Sequence, residues 1–179
     1  MSEMLKKIVS DAKACGVTEC GWIDTQTLTF HENIRRLCEG NQCRSYGKTW
    51  ACPPAVGTLD ECRVRCLRYS RMLLFSRKYD LEDSFDLEGM QAGHRAFKSL
   101  SDALYEKIKP YLSDFLLLSN EGCARCATCT YPAAPCRFPE RLFHSLEGYG
   151  FIVSDLCKMT GIRYINGQNT VTYFGALLI

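Results

Sequence analysis

Several things are missing from this chain of 179 residues. No stretch approaches the roughly 18 to 20 apolar residues that a membrane-spanning helix needs, and the apolar end VTYFGALLI is far too short. The opening MSEMLKKIVSDAKACG has neither an apolar h-region nor a small-residue cleavage site, so it does not read as a signal peptide. A cytoplasmic location and no membrane partner are therefore expected. Charge of one sign is not in excess either. Lys and Arg number 22 against 20 Asp and Glu, a net +2. Bulk electrostatics therefore predict no nucleic-acid binding. The arginines at 63, 65, 68 and 71 read as a solvated helix face. Histidine is scarce and scattered, at His31, His94 and His144. No internal repeat or low-complexity linker interrupts the chain.

Cysteine, by contrast, is abundant, with 12 residues. In a reducing compartment, cysteine pairs at short spacing point to metal or redox chemistry and away from a disulfide framework.

Cys123, Cys126, Cys129 and Cys136 form a C-x2-C-x2-C-x6-C run. Thiolates are soft ligands that select iron–sulfur clusters, zinc or cuprous ions over hard cations. Three cysteines two residues apart can wrap one corner of an iron–sulfur cube, and small intervening residues such as Ala124, Ala127 and Thr128 permit the curl. Arg125 is expected to point outward. Cys136 returns across a segment stiffened by Pro132 and Pro135. The ferredoxin run C-x2-C-x2-C-x3-C-P matches only in part, because here the last gap is longer and Arg137 follows. Structural zinc sites ordinarily pair two separated C-x2-C knuckles, so zinc is the alternative.

A second set lies upstream. Cys38, Cys43 and Cys52 are spaced C-x4-C-x8-C. Cys62 and Cys66 follow as C-x3-C on a predicted helix, one turn apart on the same face. The first three either ligate a second cluster, with a fourth ligand from Cys62, Cys66 or elsewhere, or some are simply buried thiols. A three-cysteine cluster would leave one iron open to a substrate. Tyr46, Lys48 and Trp50 share this loop and are candidate cofactor-binding residues, with a shielding or solvated role as the plain alternative. Cys15, Cys20 and Cys157 read as core thiols. Glu140 and Glu147 flank His144, where acid–base work is conceivable.

Hydrophobic periodicity predicts helices over 2–14, 30–38, 59–69, 86–111, 139–149 and 154–159, and strands over 17–25, 71–79 and 115–118. The tail IRYINGQNTVTYFGALLI reads as two strands joined at Asn166-Gly167. Alternating helices and strands predict an α/β fold, with α+β as the variant. The chain is expected to be one domain over 1–179, with a mixed sheet, flanking helices and cysteine-rich loops at 38–66 and 122–139.

At CRSYGKTWACPP, CARCATCTYPAAPCRFPE and NGQNTVTYFG the chain resembles a prokaryotic family of predicted metal-binding proteins, domain of unknown function 2284. The resemblance runs from about Cys38 to the C-terminus. It implies metal binding through Cys38, Cys43, Cys52, Cys123, Cys126, Cys129 and Cys136, and it implies no particular reaction. The expected function is a small iron–sulfur protein with one or two [4Fe-4S] clusters, serving electron transfer to a redox partner protein or small molecule. The alternatives are an enzyme working through an open cluster iron, and a structural zinc module.

Overall fold

In the run Arg71–Asp80 (β2), Met72, Leu73, Leu74 and Phe75 are all 0% exposed. Side chains alternate across a strand, so four consecutive buried residues require cover on both faces of a sheet. The computed structural model, which describes residues 2–179, supplies that cover. One face carries the helices Glu3–Ala14 (α1) and Leu87–Ile108 (α4). Ile8, Ala12, Phe97, Leu104 and Ile108 pack there on Leu73 and Phe75. The other face carries Leu59–Leu67 (α3) and Val153–Thr160 (α5), whose Cys62, Cys66, Leu156 and Cys157 pack on Met72 and Leu74. Each fully buried Leu, Met or Phe contributes about 1.5–3 kcal/mol.

The remaining elements are Glu19–Asp24 (β1), Glu32–Glu39 (α2), Leu116–Ser119 (β3), His144–Ser145 (β4) and Thr170–Leu178 (β5). The sheet order is β1-β2-β5-β3-β4. The first three pairings are antiparallel, and β3 with β4 is parallel. The fold is therefore mixed α/β on one five-stranded sheet, as expected. Local signals set several boundaries. Ser2 caps α1, Gly16 follows it at φ +98°, and a Thr58–Glu61 capping box opens α3. None of the described helices is long and apolar enough to cross a membrane.

Two expectations fail. The segment 139–149 is not one helix. Short 3-10 turns at Pro139–Arg141 and Glu147–Tyr149 flank β4. Its amide groups are spent on neighbours: Ser145 N–H donates to the Ala51 carbonyl and Leu146 N–H to that of Ser119. Gly148 and Gly150 further weaken a helix here. The tail is not a hairpin either. β5 has β2 along its whole length on one side, while β3 takes only Ala176–Leu178 on the other, and residues 162–167 form no ladder with the remaining stretch. That segment is tied by side chains instead: Asn166 Nδ2 donates to the Arg163 carbonyl and to Thr172 Oγ1, and Arg163 N–H donates to Glu19. The sheet's mixed character comes from the β3–β4 pair, not from a closing hairpin.

Gly175 in β5 marks the tightest approach in the sheet. A Cβ there would meet Phe75 Cζ at 2.5 Å and the Leu118 carbonyl oxygen at 2.9 Å. Gly175→Ala is expected to cost about 1–3 kcal/mol through this overpacking. Urea unfolding followed by circular dichroism measures it, and an unchanged midpoint would contradict the packing.

Candidate metal centre

The downstream cysteine loop leaves the carboxyl end of β3. Its return is closed locally. Ala134 N–H donates to the Thr130 carbonyl at 3.0 Å, and Thr130 Oγ1 donates to that of Pro135 at 2.9 Å. Arg137 Nη1 ties back to the Thr128 carbonyl at 2.9 Å. The loop so folded brings Cys123, Cys126, Cys129 and Cys136 onto the lining of one cavity. All twelve cysteines are free thiols. Among the described residues, no three His, Cys, Asp or Glu side chains gather as a site for a single metal ion.

The donor set fits an iron–sulfur group chemically. Four cysteines, whose sulfurs are soft donors, share the lining of one cavity with Trp50, Phe138, Leu142, Arg125, Arg137 and Arg141. Arg125 and Arg141 are themselves paired with Asp102 and Glu106. Phe138 N–H donates to Cys136 Sγ at 3.4 Å, the kind of hydrogen bond that orients a ligand and tunes a metal. Arg125 does not point outward as expected. It pairs with Asp102 of α4 and lies over Phe138 and Phe143, at 5.9 and 6.0 Å from the ring centroids.

The upstream loop packs against this one. Trp50 Nε1 donates to the Ala134 carbonyl at 3.1 Å, and its ring meets Tyr131 edge-on at 4.9 Å. Trp50 thus faces the downstream quartet. Tyr46 is half-buried, with its backbone N–H on Asn41 Oδ1, and Lys48 is exposed. The closest approach is at Gly122. A Cβ there would lie 2.9 Å from Ser45 Oγ and 3.6 Å from Cys52 Sγ.

Cys38, Cys43 and Cys52 sit within electrostatic reach of one another. Burial pushes the Cys38 thiol up to about 11, with Cys43, Cys52 and Glu147 adding to the rise. Burial likewise raises Cys52. Free thiolates are therefore costly here, and a coordinated cation is what would stabilise them. Cys62 and Cys66 are elsewhere. Both are fully buried in the core under β2, and burial raises both thiols. Cys157 lies in the same core, and Cys15 and Cys20 pack against the opposite one.

Sequence reasoning missed Lys98. Its ammonium donates to the Asn120 carbonyl and to that of Glu121 at 3.4 Å, at the root of the cysteine loop. Burial pulls it down to about 8, against the pull of Cys123, Cys52, Glu121 and Glu147. The available signal was helix phase, since Lys98 and Asp102 lie four apart on α4 and both reach the loop. Glu140 is exposed and pairs with Lys109 at 2.8 Å, whereas burial raises the Glu147 carboxyl.

The chain belongs to the family described as predicted metal-binding protein (DUF2284), whose model matches residues 21–179. No curated protein matches it. Among solved structures it is similar to an epoxyqueuosine reductase from Bacillus subtilis, at 10% identity and a TM-score of 0.47. That similarity covers 98% of this chain and 45% of the reductase, so the chain spans less than half of the reductase's length.

His144, in β4, does not face the thiols. Its Nδ1 lies 3.1 Å from the Tyr149 hydroxyl, which in turn accepts from Arg65 Nη1 at 2.9 Å. Arg65 is therefore turned inward, not solvated as expected. The arrangement favours a neutral imidazole accepting from Tyr149, and burial pulls His144 down to about 4. The unfolded chain protonates the ring near pH 6.5, so it binds the proton first as pH falls. Stability linked to this ring is full above about pH 6.5 and is lost toward pH 4, by about 3 kcal/mol. His144→Gln should shrink the difference between urea midpoints at neutral and acid pH. A variant as acid-sensitive as the native chain would contradict this assignment.

Proposed function

We propose that Cys123, Cys126, Cys129 and Cys136 hold a [4Fe-4S] cluster and that the chain, as a single domain over 1–179, transfers single electrons in the cytoplasm. The observation that carries this reading is the one cavity lined by all four thiols. When bound, the cluster would supply one-electron redox chemistry at a potential set by burial and by hydrogen bonds to sulfur. The chain's own residues do the rest. Trp50, Phe138 and Leu142 exclude water, the Phe138 amide holds Cys136, and Arg125 is fixed by Asp102. Exposed Arg95, Arg137 and Arg141 near the quartet suit an acidic redox partner.

Cys38, Cys43 and Cys52 would hold a second cluster through three thiolates. With Cys62 and Cys66 shut in the core, this set has no fourth sulfur from α3. An iron left without a thiolate would be open to a small molecule.

The test is chain made and purified without oxygen. Broad absorbance near roughly 400 nm and about four irons and four sulfides per cluster are expected. Cys126→Ser should remove one cluster's worth of iron, and Cys43→Ser should leave the quartet's iron in place. Stoichiometric zinc with no acid-labile sulfide would select the structural zinc reading and reject this one.

A further inference from the structure

Beyond Glu121 and Glu147 lies a second cavity that no cysteine lines. It holds about 450 Å³, within the range of small-molecule sites. It lies between the first half of β5 and the 162–167 segment, which sequence reasoning had assigned to a hairpin. That segment meets β5 through side chains, Asn166 on Thr172 and Tyr164 on Phe174, and the cavity opens beside these contacts.

The lining has a definite chemical character. Glu121 and Glu147 both contribute, and no Lys, Arg or His lines the cavity. Glu147 takes part in none of the ion pairs among the described residues. Glu121 has only His94 Nε2 at 3.7 Å, and burial lowers that imidazole, which keeps it from holding a charge. Lys98 is within electrostatic reach of both carboxyls, but its nitrogen is engaged by backbone carbonyls and it lines a different cavity, with Cys123.

An independent observation also points to a ligand. Asn120 lines the cavity and is 5% exposed, yet its side-chain Nδ2 has no hydrogen-bond partner. Its Oδ1 is taken by Ser119 Oγ at 3.2 Å, which leaves the amide N–H groups unused. A buried donor left unmade costs about 1–3 kcal/mol. Aromatic surface completes the lining. Tyr164 stacks on Phe174 with centroids 5.6 Å apart, Tyr173 adds a ring, and Ile165 stands 78% exposed. Aromatic faces attract cations.

We propose that this cavity binds a small organic ammonium compound. Its cationic nitrogen would be held by Glu147 and Glu121, its apolar body would lie on Tyr164 and Tyr173, and an acceptor atom would meet the Asn120 amide. Glu147 is also within electrostatic reach of Cys38. The inference does not need the cluster reading, because recognition comes from carboxylate, amide and ring.

The test uses the oxygen-free preparation, with its iron assayed, and three probes of one shape: 2-phenylethylammonium, 2-phenylethanol and 3-phenylpropionate. Calorimetric titration should show saturable binding of the ammonium probe, with the alcohol at least about tenfold weaker and the carboxylate not bound. Glu147→Gln should weaken the ammonium probe about tenfold, near 1.4 kcal/mol. Glu121→Gln, at an exposed side chain that leaves the fold intact, should weaken it about threefold. Alcohol or carboxylate binding as tight as the ammonium would overturn the proposal, and so would no saturable ammonium binding or affinity unchanged in both folded variants. Iron content is read separately, so losing the cluster reading leaves this result standing.

Discussion

The contact at Gly122 joins everything of chemical interest in this chain. Only a residue without a side chain lets the 45–52 loop come this close to the start of the downstream cysteine run. Lys98 fixes the same point from the helix side, by holding the Asn120 and Glu121 carbonyls. One short stretch, 120–123, thus carries the cavity amide, a cavity carboxylate, the loop contact and the first thiol of the quartet. Moving it would disturb all four.

The sheet explains why such a stretch can be held still. β3 is only four residues long, but it pairs with β5 on one side and β4 on the other. Its end is anchored by Ser119, whose hydroxyl lies 2.9 Å from that of Ser101 on α4. Loops that carry chemistry work best when a rigid scaffold positions them. Here the scaffold is a sheet buried on both faces, and the loops sit at the carboxyl ends of its only parallel pair.

The electrostatics around the thiols divide by location. The downstream quartet lies among arginines, one of them held by Asp102. The upstream trio runs from exposed Cys43 to buried Cys52, and Glu147 adds to the cost of a free thiolate at Cys38.

Some of this was legible from residues alone. The spacing of Cys123, Cys126, Cys129 and Cys136 is local chemistry within one loop, and local spacing decides which sulfurs can face one cavity. The run RMLLFS announced a strand, and the apolar periodicity of 2–14 with Gly16 after it announced a helix, because each depends on near neighbours. Long-range placement decided the rest. The 139–149 amides bond to Ser119 and Ala51, so helical periodicity there was misleading. The turn signal Asn166-Gly167 is real, but residues 162–166 are held by the side chains of Asn166 and Glu19 and not by a strand ladder. Arg125 turned inward because Asp102, on a distant helix, offered a carboxylate. Lys98 drew no notice, because a lysine on a helix is ordinary until tertiary packing buries it beside two cysteine loops. Sequence alone thus determined which soft donor atoms the chain carries and how they are spaced. Only the folded chain decided what surrounds them, because burial and pairing belong to residues far apart in the chain.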